Sequence, residues 1–85
     1  MAVIVIEVMP KRELLDPAGK AVLGALKRQG VDSFHEVRIG KRFELHVDGA
    51  ATKTHLDHAT SLAESLLSNG VIEDVIDIRV EDSPA

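Results

Sequence analysis

The sequence predicts a single two-layer α+β domain of element order βαββαβ, an antiparallel sheet carrying two helices on one face. Three observations predict it. The chain has 85 residues and a mass of 9.2 kDa, room for one small domain. Apolar residues recur with period two in four stretches. Between these, two stretches carry apolar residues at helical spacing, each opened by a capping residue and closed near a glycine.

The first strand is Ala2–Met9. Ile4, Ile6 and Val8 form one side, with Val3, Val5 and Glu7 on the other. A strand apolar on both sides is expected to be covered on both. Pro10 ends it by removing a backbone donor, and Lys11–Leu15 is a connector. Asp16-Pro17 then opens a helix, Asp as N-cap and Pro at the first helical position. Ala18, Ala21, Val22, Ala25 and Leu26 make its stripe, and Gly30 its C-terminal stop, so the helix is expected over Pro17–Gln29. Gly19 and Gly24 inside it point to close backbone approaches.

Phe34–Ile39 and Arg42–Val47 read as a hairpin around Gly40-Lys41. A bulge or a three-residue loop would gather Val37, Ile39, Phe43, Leu45 and Val47 on one face. Asp48–Lys53 is a loop. Thr54 with Asp57 resembles a capping box, and Leu56, Ala59, Ala63, Leu66 and Leu67 form the second helical stripe, closed by Asn69-Gly70. Val71–Glu81 is the last strand, with Ile76, Ile78 and Val80 inward and Asp77, Arg79 and Glu81 outward, Val75 breaking the polar side. Residues 1–82 make one domain and 83–85 a frayed tail. The arrangement is of ferredoxin-like type. With helices on one face only, Val3, Val5 and Val75 would lie on the open face, a surface for self-association. So small a chain is expected to gain stability as an oligomer.

Composition narrows the function. There is no cysteine, so neither disulfides nor thiolate metal sites are available. The only aromatic residues are Phe34 and Phe43, which removes the stacking platforms of single-strand binders. A net charge of −4 suits neither phosphate backbones nor anionic membranes. No apolar run approaches the roughly 20 residues of a membrane span. A cytoplasmic protein without nucleic-acid or membrane partners is the expectation.

Few residues of the chain suggest chemistry of their own. His55 and His58 share a helix face, near Asp57 or His46, but two histidines fall short of the three protein ligands of a catalytic zinc site, and solvated histidines are expected. His35 falls on the presumed inner face of its strand, where it is expected to be partly wet. Glu73 and Asp74 are adjacent and point to opposite faces of a strand. Arg38, Lys41 and Arg42 form the one basic concentration, suited to a phosphate or carboxylate of another subunit or to plain turn polarity. No nucleophile triad or phosphate loop is present.

Three motifs in order then resemble a known family. Leu15-Asp16-Pro17-Ala18-Gly19-Lys20-Ala21-Val22 resembles the LDP-x-G-x-A-V opening of the PurS subunit of phosphoribosylformylglycinamidine synthase. Val37-Arg38-Ile39-Gly40-Lys41 with Glu44-Leu45 resembles its VRIGK…EL hairpin. Leu66-Leu67-Ser68-Asn69-Gly70-Val71-Ile72-Glu73-Asp74 resembles its LLAN-x-VIED close. The family often has an aromatic residue next, where this chain has Val75.

The resemblance implies a chain without catalytic residues or cofactor of its own, dimeric or higher. It implies a scaffold between a large ATP-dependent synthetase subunit (PurL-type) and a glutamine amidotransferase subunit (PurQ-type). That assembly, using ATP and magnesium, turns formylglycinamide ribonucleotide and glutamine into formylglycinamidine ribonucleotide in purine biosynthesis, and its ammonia must pass between two sites. The resemblance puts Arg38, Gly40, Lys41, Glu44, Ile72, Glu73 and Asp74 at subunit contacts. The alternative is a stand-alone regulatory module binding a small ligand.

Overall fold

The computed structural model describes residues 1–82; the tail expected at 83–85 lies outside them. The elements are β1 (Ala2–Pro10), α1 (Pro17–Arg28), β2 (Lys41–Val47), α2 (Lys53–Leu62), a π-helical turn (Ala63–Leu67) that continues α2, and β3 (Glu73–Asp82). They give the expected α+β class with an antiparallel sheet, in the order β2-β1-β3. β1 is central. It pairs with β2 from Ala2↔Val47 to Val8↔Lys41, and with β3 from Ala2↔Asp82 to Pro10↔Glu73.

The doubly apolar pattern of β1 is explained by that position. Ile4, Ile6 and Val8 point to the α2 side and are buried with Ala59 and Ala63, flanked by Phe43, Leu45, Leu56 and Leu67. Val3 and Val5 point the other way and are also buried, at 6% and 0% exposure. No helix covers them. A lattice of charged side chains from the flanking strands does so. Arg79 reaches Glu7, Asp77 (2.6 Å) and Glu81 (3.0 Å), and Arg42 reaches Glu44 (3.1 Å) and Glu81 (3.7 Å). Long side chains can lay their stems over apolar surface while their heads stay wet. The expectation that Val3 and Val5 lie uncovered as an open apolar patch is thereby corrected.

Val75 is corrected as well. β3 bulges at Ile76: Glu7 faces Asp77, while the next residue, Val8, faces Val75. The extra residue resets the alternation. Val75 therefore packs on the core side, against the cluster of Ile4, Ile6 and Val8, and Ile76 is exposed rather than inward.

The expected strand Phe34–Ile39 forms no ladder. Its backbone is held elsewhere. The Ile39 N–H donates to Asp16 Oδ2 at 2.9 Å, and the Val37 carbonyl lies so close to Gly19 that any Cβ there would collide with it. The Arg38 guanidinium donates to the Pro10 carbonyl. These contacts draw the segment along the end of β1 to the start of α1, and only from Lys41 does the chain join the sheet. His35, expected on an inner strand face, is exposed outside it.

α2 starts two residues earlier than Thr54 would allow. Thr52 is the N-cap: its Oγ1 accepts from the His55 N–H (3.3 Å) while His55 Nδ1 accepts from the Thr52 N–H (3.0 Å). Histidine here takes the place of the usual Glu of a capping box. α2 forms the layer over the sheet. α1 is anchored by its first turn, where Gly19 is buried, and Ala21 and Val22 of its stripe stay exposed.

The outcome is an open shape, 47 × 32 × 14 Å, with a radius of gyration of 16.2 Å. A compact domain of this length would have about 12 Å. The accessible surface is 5984 Å², against about 4,900 Å² for a compact monomer of this mass.

Candidate subunit-contact site

The segments of the three sequence motifs meet at the Pro10 end of the sheet. Asp16 is the centre of the junction. As N-cap its Oδ1 accepts from the Gly19 N–H at 2.9 Å, and its Oδ2 from Ile39, joining the first motif to the second. Those two backbone donors, Gly19 first, hold its carboxyl below the usual value. Lys41 joins the second motif to the third, 3.1 Å from Glu73. The Asn69 N–H donates to Glu73 Oε1 at 2.8 Å. That bond and then Lys41 lower the Glu73 carboxyl. Lys11 Nζ sits 2.6 Å from Asp74 Oδ1, which raises the lysine, and the Lys11 N–H donates to the Ile72 carbonyl at 2.9 Å. Asn69 shapes the entry to β3, its Oδ1 accepting from Val71 and its carbonyl from Ile72 and Glu73.

Of the residues expected at subunit contacts, Arg38, Gly40, Lys41, Ile72, Glu73 and Asp74 come together here. Gly40 packs so tightly on Met9 and the Val8 carbonyl that a side chain would not fit. Glu44 is elsewhere. It lies on the open sheet face between Arg42 (3.1 Å) and His46 (3.4 Å), and Arg42 is the first cause of its lowered carboxyl.

The junction also contains residues that sequence reasoning passed over. Leu14, counted only as connector, and Leu15, given no role beyond opening the first motif, are 42% and 66% exposed. They border a cleft of about 380 Å³ with Pro10, Asp16, Pro17, Ile72 and Glu73. A leucine pair in a short polar connector was the signal available. Among the described residues no three His, Asp or Glu side chains are close enough to share a metal ion, and His55 spends Nδ1 on its cap.

A thin α+β layer, with an apolar cleft at one end and a helix fixed at its first turn by Asp16, defines a small open domain with no metal cluster among the described residues. The chain belongs to the PurS family: the family model described as phosphoribosylformylglycinamidine (FGAM) synthase matches residues 3–82. It is 49% identical over 74 residues to the FGAM synthase subunit PurS of Mycobacterium leprae, covering 87% of this chain and 90% of that one. The Bacillus subtilis PurS structure has a TM-score of 0.79 at 34% identity, over 96% of this chain and 100% of that one. The structure of PurLQS from Thermotoga maritima shares the fold, with a TM-score of 0.74 at 22% identity over 94% of both chains. Membership makes the chain a subunit of FGAM synthase, in purine biosynthesis.

Proposed function

We propose that this subunit is a non-catalytic bridge, self-associated and seated between a synthetase subunit of PurL type and a glutamine amidotransferase subunit of PurQ type. The observation that carries the reading is the unfinished shape of the chain. Its accessible surface exceeds that of a compact monomer by about 1,000 Å², close to the roughly 800 Å² each partner hides in a standard protein interface. The Thermotoga maritima relative occurs in a structure named PurLQS, which supports the same partners here. In this reading ATP and magnesium act on the synthetase subunit, and the protein works in the cytoplasm.

A bridge acts by position. Ammonia released at the glutaminase must reach the synthetase before it escapes to water, and holding two reacting sites in register is a rate term of its own. The test is reconstitution with the synthetase and amidotransferase subunits of the same organism, formylglycinamide ribonucleotide and magnesium-ATP, driven by glutamine or by free ammonia. The chain is expected to be needed for the glutamine-driven reaction and nearly dispensable for the ammonia-driven one. Equal rates with and without it in both reactions would sink the proposal.

A further inference from the structure

We propose that the cleft at the Pro10 end of the sheet receives a segment of a partner protein that presents an apolar side chain next to a carboxylate. This rests on the bridging reading and gives it an address on the surface.

The apolar half of the site is Leu14, Leu15 and Ile72, exposed at 42%, 66% and 48%. They border one cleft beside Pro10 and Pro17. Water contact with large aliphatic side chains is unfavourable in proportion to their area, and among the described residues these three remain 42–66% exposed with α1 and α2 both in place.

The charged half adjoins it. A second, smaller cleft of about 160 Å³ shares Leu14, Leu15 and Asp16 and is lined also by Arg12, Lys20, Arg38, Val37 and one further acid, Glu36. Arg38 is engaged by the Pro10 carbonyl and, at 3.9 Å, by Glu36. Both oxygens of Asp16 are taken by backbone N–H groups. Arg12 and Lys20, like Lys27, Arg28 and Lys53 elsewhere, form no ion pair among the described residues; what sets these two apart is their place beside the apolar cleft. In a chain of net charge −4, two unpaired cations beside an uncovered apolar patch are complementary to a carboxylate next to an apolar side chain.

Other occupants fit less well. A second copy placed across a two-fold axis through the cleft would offer Asp16, Glu36 and Glu73, each already engaged within its own chain. A free phosphate would seek the N–H groups at the start of α1, but Asp16 already occupies that of Gly19.

The experiment measures the affinity of the full chain for the synthetase and amidotransferase subunits, separately and together. It compares wild type, Leu15→Asp and the double variant Arg12→Glu/Lys20→Glu. Thermal melting and sedimentation run in parallel. These side chains are exposed, so both variants are expected to melt and self-associate as wild type does. Each is expected to weaken binding to one partner by about tenfold or more, the charge variant most at low salt. Wild-type binding that both variants retain unchanged would overturn the cleft and leave the bridge standing. A wild type that binds neither subunit would overturn both. Saturable binding of inorganic phosphate, read as chemical-shift changes at Arg12 and Lys20, would replace the partner segment with a small anion.

Discussion

Asp16 holds two backbones with one carboxylate. Oδ1 caps α1 and Oδ2 fixes Ile39, so the first turn of the helix and the segment before β2 are ordered together. Gly19 makes that possible, because the Val37 carbonyl occupies the space a Cβ would need. Gly24, five residues on, meets only the flexible end of Arg28 at 3.4 Å. The two glycines should therefore respond oppositely to one change. Gly24→Ala is expected to stabilise by about 0.5–1 kcal/mol, the ordinary helix-interior difference. Gly19→Ala is expected to lower the melting temperature and expose the Ile39 amide to hydrogen exchange. A Gly19→Ala protein as stable as wild type would show that the close approach is not needed. The carboxyls of Asp16 and Glu73 give a pH dependence at the same scale. Both are held below their ordinary values of 3.8 and 4.5. Their contribution to stability is thus fully present above those values and is lost as pH falls through the lower folded ones. Melting curves from pH 6 to pH 2 should show wild type losing more than Asp16→Asn, with the two converging at the acid end.

Strand β3 shows what one inserted residue does to an element. The bulge at Ile76 turns Val75 toward Val8 and leaves Ile76 in water. Val75→Asp would place a charge beside the core without a partner, and is expected to cost about 2–4 kcal/mol. Ile76→Asp should change stability little, because that side chain is 58% exposed. Chemical denaturation of the two variants checks this, and equal losses would contradict the bulge. The strand itself was legible from its alternation, as were β1, β2 and both helices. Val75's facing was not, because a bulge is a backbone event and Val-Ile-Asp reads the same with or without it. The strand expected at Phe34–Ile39 failed for a different reason. Its apolar alternation is real, but the hydrogen bond Ile39 would give a hairpin goes to Asp16, 23 residues earlier. The same non-local bond hid part of the site: an N-cap needs one carboxylate oxygen, and nothing in the sequence shows where the second goes. The cap of α2 was missed by two residues because His55, not an acid, fills the N3 role.

The whole chain is wider than its core. Its radius of gyration of 16.2 Å belongs to a sheet with α2 on one face, an ion-pair lattice on the other, and α1 reaching outward. Copies are expected to pack against this overhang. Small-angle scattering across a dilution series should give a mass of at least two chains at high concentration. A compact monomer of about 12 Å throughout would contradict the open shape. The central place of β1 has a consequence in time. Its partner β3 begins at Glu73, more than sixty residues after β1 ends at Pro10. At ordinary rates of translation that separation lasts roughly 3–13 seconds. Through that interval the newborn strand Ala2–Val8 is apolar on both faces and has neither its β3 neighbour nor the charged canopy of Arg79. β1 is therefore made well before its cover, and its burial on both faces waits for the last strand of the chain.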